Sequence, residues 1–301
     1  MTAEAMGGGE ALFSEALNHL IGNEVPRDLV KSRQLFRAAM SQGHLEAAFF
    51  EVALAANGTG GEPDWSLALE TLRQVSTRSK VAQSQLALID KLQLTDDGYP
   101  AILPKGEVIG RDPDVVLYPN LISPEECAVI ATSVRDILEP SQVVDPRSGR
   151  LVAHPIRTSA GAVIGPTREN LVIAAVNRRL AAISGTTVSQ GEPLSVLCYG
   201  RGEEYRAHVD AIAGECNQRI ATAIIYLNEG YEGGETLFLR SDLRIVGRLG
   251  DVILFHNVDK DGLPDHGTAH AGLPVRAGIK WVATRWIRAR FHDPWSSRSP
   301  Y

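Results

Sequence analysis

The chain is short of cysteine, of basic charge and of unbroken apolar sequence, and each shortage removes a class of protein. Its 301 residues include three cysteines, Cys127, Cys198 and Cys216. An odd number without metal-like spacing supports neither a disulfide framework nor a structural zinc site, and the three read as reduced thiols of a cytoplasmic protein. Lys and Arg number 30 against 36 Asp and Glu, a formal net charge of -6, which offers no electrostatic basis for binding nucleic acid. No apolar stretch approaches the roughly 20 residues of a membrane helix, so no membrane association is expected. The opening residues Met1 to Met6 carry neither the basic segment nor the apolar core of a secretory leader. What is present, with 44% hydrophobic residues, suits a globular chain long enough for two domains.

The densest chemistry lies towards the C-terminus. His208-Val209-Asp210 sets an imidazole and a carboxylate two positions apart. On an extended strand such residues point to one face, where both reach a single metal ion. His270, about sixty residues later, can complete a 2-His-1-carboxylate set, which leaves open positions on a non-heme Fe(II) for a co-substrate and for dioxygen. Around these residues run short apolar or β-branched stretches separated by turns. Leu194 to Tyr205 is an apolar stretch that ends in a glycine-punctuated turn, and Arg219 to Asn228 reads as a buried strand. Gly233 to Phe238 reads as a tight turn entering a strand and Gly250 to Phe255 as another strand behind a turn, followed by His270 to Val275 and Gly278 to Ile287. Many short strands punctuated by glycine suggest a double-sheet jelly roll with the ligands facing inward.

The order H-x-D, YLN, GGET, G-D-x-x-x-F, H-x-G-x-P-V and G-x-K-W-V-A-T-x-W-I runs from residue 208 to 287. In this combination, residues from about 115 to 290 resemble the prolyl 4-hydroxylase family of Fe(II)- and 2-oxoglutarate-dependent oxygenases. The resemblance implies a double-stranded β-helix core with His208, Asp210 and His270 as iron ligands and catalytic residues. It implies O2 as oxidant, 2-oxoglutarate as co-substrate and ascorbate as a reductant. It also implies Lys280 as the partner of the distal 2-oxoglutarate carboxylate. Physical chemistry leads to the same role for Lys280: a carboxylate deep in an apolar barrel needs a paired cation, and this lysine stands among Ile279, Trp281 and Val282.

Tyr199 and Tyr226 are the candidate hydroxyl donors to the co-substrate, with Thr222 a further one. On the substrate side, Arg157 lies in Arg157-Thr158-Ser159, which resembles the family's Arg-x-Ser segment, and Tyr205 could wall a proline ring. The chain departs from the common family pattern at Ser195, where glutamine is frequent, and in Gly262 to His266. His256 and His266 read as loop residues outside the metal set. Related halogenases replace the ligand carboxylate by a small residue; because Asp210 is present, hydroxylation is the expected reaction.

The first ninety residues have another texture, rich in Ala and Leu and nearly free of strand-like runs. Asp28 to Ala39 parallels Asp64 to Val75 at an offset of 36 residues, and each unit continues into a second helical stretch, Leu45 to Ala55 and Val81 to Leu92. Asp64 is placed to cap a helix. Such a period implies stacked helix pairs, and the segment resembles Sel1-like repeats of the tetratricopeptide type, with a protein partner as one possible occupant. Farther on, Ser123-Pro124-Glu125-Glu126 carries a capping box with proline at the first helical position, Val172 to Ile183 reads as another helix, and Ser141 to Ile156 as a lid over the site.

The expected architecture is thus α+β. An all-α helical-repeat domain over 10–95 precedes a linker over 96–114 and a double-stranded β-helix (jelly-roll) dioxygenase domain over 115–291. The expected reaction is hydroxylation of a prolyl residue in a peptide or protein, with succinate and CO2 as co-products. Two alternatives remain at this point. One is hydroxylation of another peptidyl residue or of a free amino-acid-like small molecule. The other is a repeat-based binding module whose barrel senses oxygen or 2-oxoglutarate.

Overall fold

The structure, a computed structural model, describes residues 7–144, 151–153 and 156–296. They form two compact units. The first comprises the chain up to Ile102 together with Gly165–Arg179; the second comprises Leu103–Ile164 and the chain from Leu180 onward.

The first unit is helical. It contains α1 (Gly8–Ile21), α2 (Leu29–Ser41), α3 (Leu45–Asn57), α4 (Trp65–Ser76) and α5 (Lys80–Ile89). The repeat read from the sequence appears as the pairs α2–α3 and α4–α5. The two leading helices start alike because their caps are chemically alike: the Asp28 carboxylate accepts from the Lys31 amide at 2.9 Å, and that of Asp64 from the Leu67 amide at 2.8 Å. Each thereby satisfies one of the backbone donors a helix start leaves unpaired. A layer of rings, Phe13, Phe36 and Phe50, fills the space between the first helices. Buried Arg33 is paired with buried Glu51 at 3.2 Å, and Arg37 reaches the same carboxylate at 2.8 Å.

Gly165–Arg179 joins this unit through Arg178. Its guanidinium donates to the carbonyl of Ala56 at 2.8 Å and of Asp97 at 2.9 Å, and lies 4.7 Å from the centre of the Trp65 ring. The division between the units therefore falls inside a later helix, and the units are not contiguous in sequence as the domains 10–95 and 115–291 are. Residues 96–114 also differ from a plain linker, because Glu107–Arg111 is a strand. Its sequence, EVIGR, shows little alternation; an edge strand of this kind is held by its partner rather than by its own pattern.

The second unit is a β-structure with strands β1 (Glu107–Arg111), β2 (Asp114–Tyr118), β3 (Glu139–Pro140), β4 (Gln142–Val144), β5 (Leu151–Ala153), β6 (Ala160–Ile164), β7 (Leu194–Tyr199) and β8 (Tyr205–His208). These are followed by β9 (Arg219–Tyr226), β10 (Glu232–Gly233), β11 (Thr236–Phe238), β12 (Leu243–Ile245), β13 (Val252–His256), β14 (His270–Gly272), β15 (Val275–Ala277) and β16 (Lys280–Arg288). The larger sheet has eight strands in the order β1-β2-β13-β9-β16-β7-β6-β3; the smaller has four, β12-β11-β14-β8. Every pairing is antiparallel. The interior of this double-stranded β-helix is filled by inward side chains that include Leu197, Ile224, Phe238, Ile253, Phe255 and Val282.

The expected helix after Ser123 is α6 (Pro124–Thr132), with the capping box formed: Glu126 N–H donates to Ser123 Oγ at 3.2 Å, and Ser123 N–H to the Glu126 carboxylate at 2.9 Å. The helix expected over 172–183 is α7 (Leu171–Ser184). Within the segment read as a lid, β4 and β5 pair with each other; residues 145–150, 154 and 155 lie outside the described residues.

Candidate active site

β8 and β14 are neighbours in the smaller sheet, and His208 is the direct register partner of His270. Two residues remote in sequence are thus set side by side by strand pairing. Asp210 lies two positions beyond the end of β8, so the extended geometry expected for H-x-D stops at His208, and the carboxylate is brought in by the bend that follows. His208 Nε2 is 3.6 Å from Asp210 Oδ1, and His270 Nε2 is 3.8 Å from Asp210 Oδ2. One donor atom from each of the three lies within 4.8 Å of the other two. Among the described residues this is the one such cluster of His, Cys, Asp and Glu.

The hydrogen bonds around the imidazoles decide which nitrogen is available. His208 Nδ1 is 2.8 Å from the carbonyl oxygen of Arg206, and His270 Nδ1 is 3.1 Å from that of Thr268. A carbonyl only accepts, so each Nδ1 carries a proton, and in the neutral imidazole each Nε2 is the nitrogen left with a lone pair towards Asp210. Burial lowers the His270 pKa below the ordinary value, which favours the neutral imidazole that binds metal. Burial would raise that of Asp210, but the charge the two histidines carry when protonated, together with the hydrogen bond from Thr222, outweighs it and holds the carboxyl well below its usual range. Two imidazoles and a carboxylate converging on one point suit a divalent iron.

The same cavity extends to Lys280 on β16. Lys280, Val282, Thr284 and Trp286 alternate along that strand and all line it, as the period of two in a strand requires. Lys280 is 4% exposed, and its ammonium donates to the carbonyl of Gly234 at 2.6 Å. Burial pulls its pKa down to about 8, with Glu235 acting in the opposite direction. Gly234 has φ +67°, and a Cβ there would stand 3.1 Å from Lys280 Cδ, so the GG of GGET serves both the turn and the room the lysine needs.

The structure distributes the other candidates unevenly. Tyr199 lines the cavity, and burial raises its phenol pKa, so it stays a neutral donor. Tyr226 is fully buried, and its hydroxyl donates to Thr236 Oγ1 at 2.9 Å. Thr236, the last residue of GGET, also lines the cavity, a hydroxyl that the sequence did not mark as a candidate. Thr222, expected at the co-substrate, instead donates to Asp210 Oδ2 at 2.7 Å; its position on β9 points it at the carboxylate. Tyr205 stacks on His208 and lines the cavity, and the guanidinium of Arg157 lies 5.4 Å from the Tyr205 ring centre. Ser195 is buried on β7; His256, expected in a loop, is the last residue of β13, and both it and His266 are exposed and not part of the metal cluster.

A double-stranded β-helix holding H-x-D and a distant histidine, with a buried cation across the cavity, defines an Fe(II)- and 2-oxoglutarate-dependent oxygenase. The profile of the 2OG-Fe(II) oxygenase superfamily matches residues 194–288. Prolyl 4-hydroxylase 1 of Arabidopsis thaliana is 32% identical over 205 residues, spanning 62% of this chain and 72% of that protein. Probable prolyl 4-hydroxylase 10 of the same plant is 31% identical over 206 residues, spanning 60% and 71%. The viral collagen prolyl hydroxylase of Paramecium Bursaria Chlorella virus-1, solved with 2OG, is 25% identical, with 58% of this chain and 96% of that chain covered and a TM-score of 0.47. The chain belongs to the prolyl 4-hydroxylase family of 2OG-Fe(II) oxygenases.

Among the described residues no helix is long and apolar enough to cross a membrane.

Proposed function

We propose that the chain hydroxylates a prolyl residue of a peptide or protein. The observation that carries this reading is one cavity lined by His208, Asp210, His270 and Lys280, a metal centre and a buried cation facing the same space. Fe(II) held by the three ligands would supply oxidising chemistry, coupling the decarboxylation of 2-oxoglutarate by O2, which yields succinate and CO2, to insertion of one oxygen atom into a substrate C–H bond.

The protein's own groups divide the remaining work. Lys280 pairs with the distal carboxylate of 2-oxoglutarate. The hydroxyls of Tyr199 and Thr236 donate to that carboxylate, and Tyr226, by donating to Thr236 Oγ1, leaves the threonine hydrogen free for the ligand. Leu197, Ile224 and Val282 line the space between and exclude water, which strengthens the ion pair. Tyr205 offers a flat face for a pyrrolidine ring, with Arg157 beside it for the peptide backbone. Ascorbate would return iron oxidised in uncoupled turnovers to Fe(II). We also assign the α2–α3 and α4–α5 pairs to Sel1-like repeats, which bind protein segments.

The test is conversion of 2-oxoglutarate to succinate by the iron-loaded chain, with and without an array of proline-containing peptides, read by a mass gain of one oxygen. Stimulated turnover with oxygen on proline is expected. Oxygen on another side chain or on a free amino acid would replace the prolyl reading, and no 2-oxoglutarate turnover under any condition would refute it.

A further inference from the structure

We propose that Asn257 and Thr222 form a positioning relay that fixes the carboxylate of Asp210 for the metal; this rests on the reading of His208, Asp210 and His270 as its ligands. Asn257 Nδ2 donates to Thr222 Oγ1 at 2.8 Å, and Thr222 Oγ1 donates to Asp210 Oδ2 at 2.7 Å. The direction of this chain is set by chemistry. Asp210 is ionised and can only accept, so the single hydroxyl hydrogen of Thr222 goes to it. The hydroxyl oxygen can then only accept, which turns the amide nitrogen of Asn257 towards it. One carboxylate oxygen is thereby engaged, and Oδ1 is left to the metal.

Two features separate this arrangement from ordinary core polarity. Thr222 and Asn257 are both 0% exposed, yet neither side chain serves the backbone. Asn257 is already anchored through its main chain, its N–H donating to Ile220 and its carbonyl accepting from Asp265, both at 2.9 Å. Asn257 Oδ1 moreover has no hydrogen-bond partner. A buried acceptor left unsatisfied destabilises a fold, and leucine, of similar size, would avoid that cost. A fold that keeps such a group gains something other than stability from it. Asp210 stands beyond the end of β8, where no ladder fixes its side chain, so its rotamer needs an external hold. The relay supplies one from β9 and from the residue following β13.

The experiment titrates the metal-free, full-length chain with Co(II), which stands in for Fe(II) and reports ligand geometry in its visible absorption. Thr222→Val and Asn257→Leu are expected to weaken Co(II) binding by about 10- to 100-fold and to alter the absorption bands. Thr222→Ser, which keeps the hydroxyl, should stay close to the wild type. Asn257→Leu should melt at or above the wild-type temperature, because it removes the unsatisfied acceptor; loss of metal affinity without loss of stability is an outcome a purely structural role would not give. Wild-type affinity and spectrum in both Thr222→Val and Asn257→Leu would overturn the relay alone. Failure of the unaltered chain to bind Co(II), or binding unaffected by His208→Ala, would overturn the metal centre itself, and the relay with it.

Discussion

The phenol ring of Tyr205 lies flat on the imidazole of His208, with 3.6 Å between ring centres and 14° between planes. The two residues bracket β8, so the strand that presents the first metal ligand also supplies the surface holding its ring in place. Aromatic pairs of this kind contribute about 0.5–1.5 kcal/mol. Tyr205→Ala should therefore weaken Co(II) binding by roughly 3- to 10-fold, while Tyr205→Phe, which keeps the ring, should not. If the exposed side of the ring also contacts the substrate, the peptide KM rises in the Ala variant beyond what saturating metal restores. Metal titration and steady-state kinetics read the two effects separately.

Replacing His208 or His270 by Ala should abolish Fe(II)-dependent turnover of 2-oxoglutarate, since two remaining ligands do not hold the ion. Asp210→Gly should lose hydroxylation as well. Metal content and succinate formation check this. Full activity of either histidine variant at equal iron would remove that residue from the centre.

Lys280→Ala should leave metal binding nearly intact and raise the 2-oxoglutarate requirement. Removing one member of a buried ion pair costs about 3–5 kcal/mol, which corresponds to roughly two to four decades in affinity. Lys280→Arg should be milder without being silent, because the guanidinium is larger and its fork has to fit beside Gly234. Calorimetric titration with 2-oxoglutarate under nitrogen distinguishes these outcomes from loss of iron.

The same lysine predicts a pH dependence. Burial brings its pKa from 10.5 to about 8 in the ligand-free protein, and only the protonated ammonium pairs with a carboxylate. Affinity for 2-oxoglutarate should be level below pH 8 and fall by up to about tenfold per pH unit above it. Stability moves the other way. Between about 8 and 10.5 the unfolded chain holds a proton on this lysine that the folded chain has released, so the lysine's contribution to unfolding free energy increases with pH across that window. The burial penalty is fully present below it. Lys280→Met should abolish both trends, which binding and denaturation series across the window would reveal.

A chain beginning at Leu103 should fold poorly. Arg178 would lose the carbonyls of Ala56 and Asp97 and the face of Trp65, and Leu171 to Val176, all 0% exposed, would lose the helices they belong with. Arg178→Ala in the full chain should lower stability by about 3 kcal/mol, the order expected for hydrogen bonds made by a buried charge. Thermal melts test both. A soluble shortened chain with an unchanged melting temperature would instead leave the helical unit to substrate recruitment alone.

Much of the site was legible in order of appearance. H-x-D, GGET and the K-W-V-A-T strand are local patterns, and local patterns survive in sequence because a strand's alternation and a turn's glycines are set by near neighbours. The helix caps at Asp64 and Ser123 were legible for the same reason, since each acts within three residues, whereas that at Asp28 was not marked. Thr222 and Thr236 could not be told apart in that way. Both are threonines on strands close to the ligands, and only the pairing of β9 with β13 and of β11 with β14 turns one towards Asp210 and the other towards the co-substrate cavity.

The sequence by itself thus determined which chemistry-bearing groups exist, the strands and turns that carry them, and the helical period before residue 95. Tertiary structure decided what depends on non-local contact. The register that sets His208 beside His270, the bend that carries Asp210 past the end of its strand, and the carbonyls that fix both imidazole tautomers belong to it. So does the assignment of Gly165–Arg179 to the helices, because a segment's own pattern marks its buried face but not the surface that will cover it.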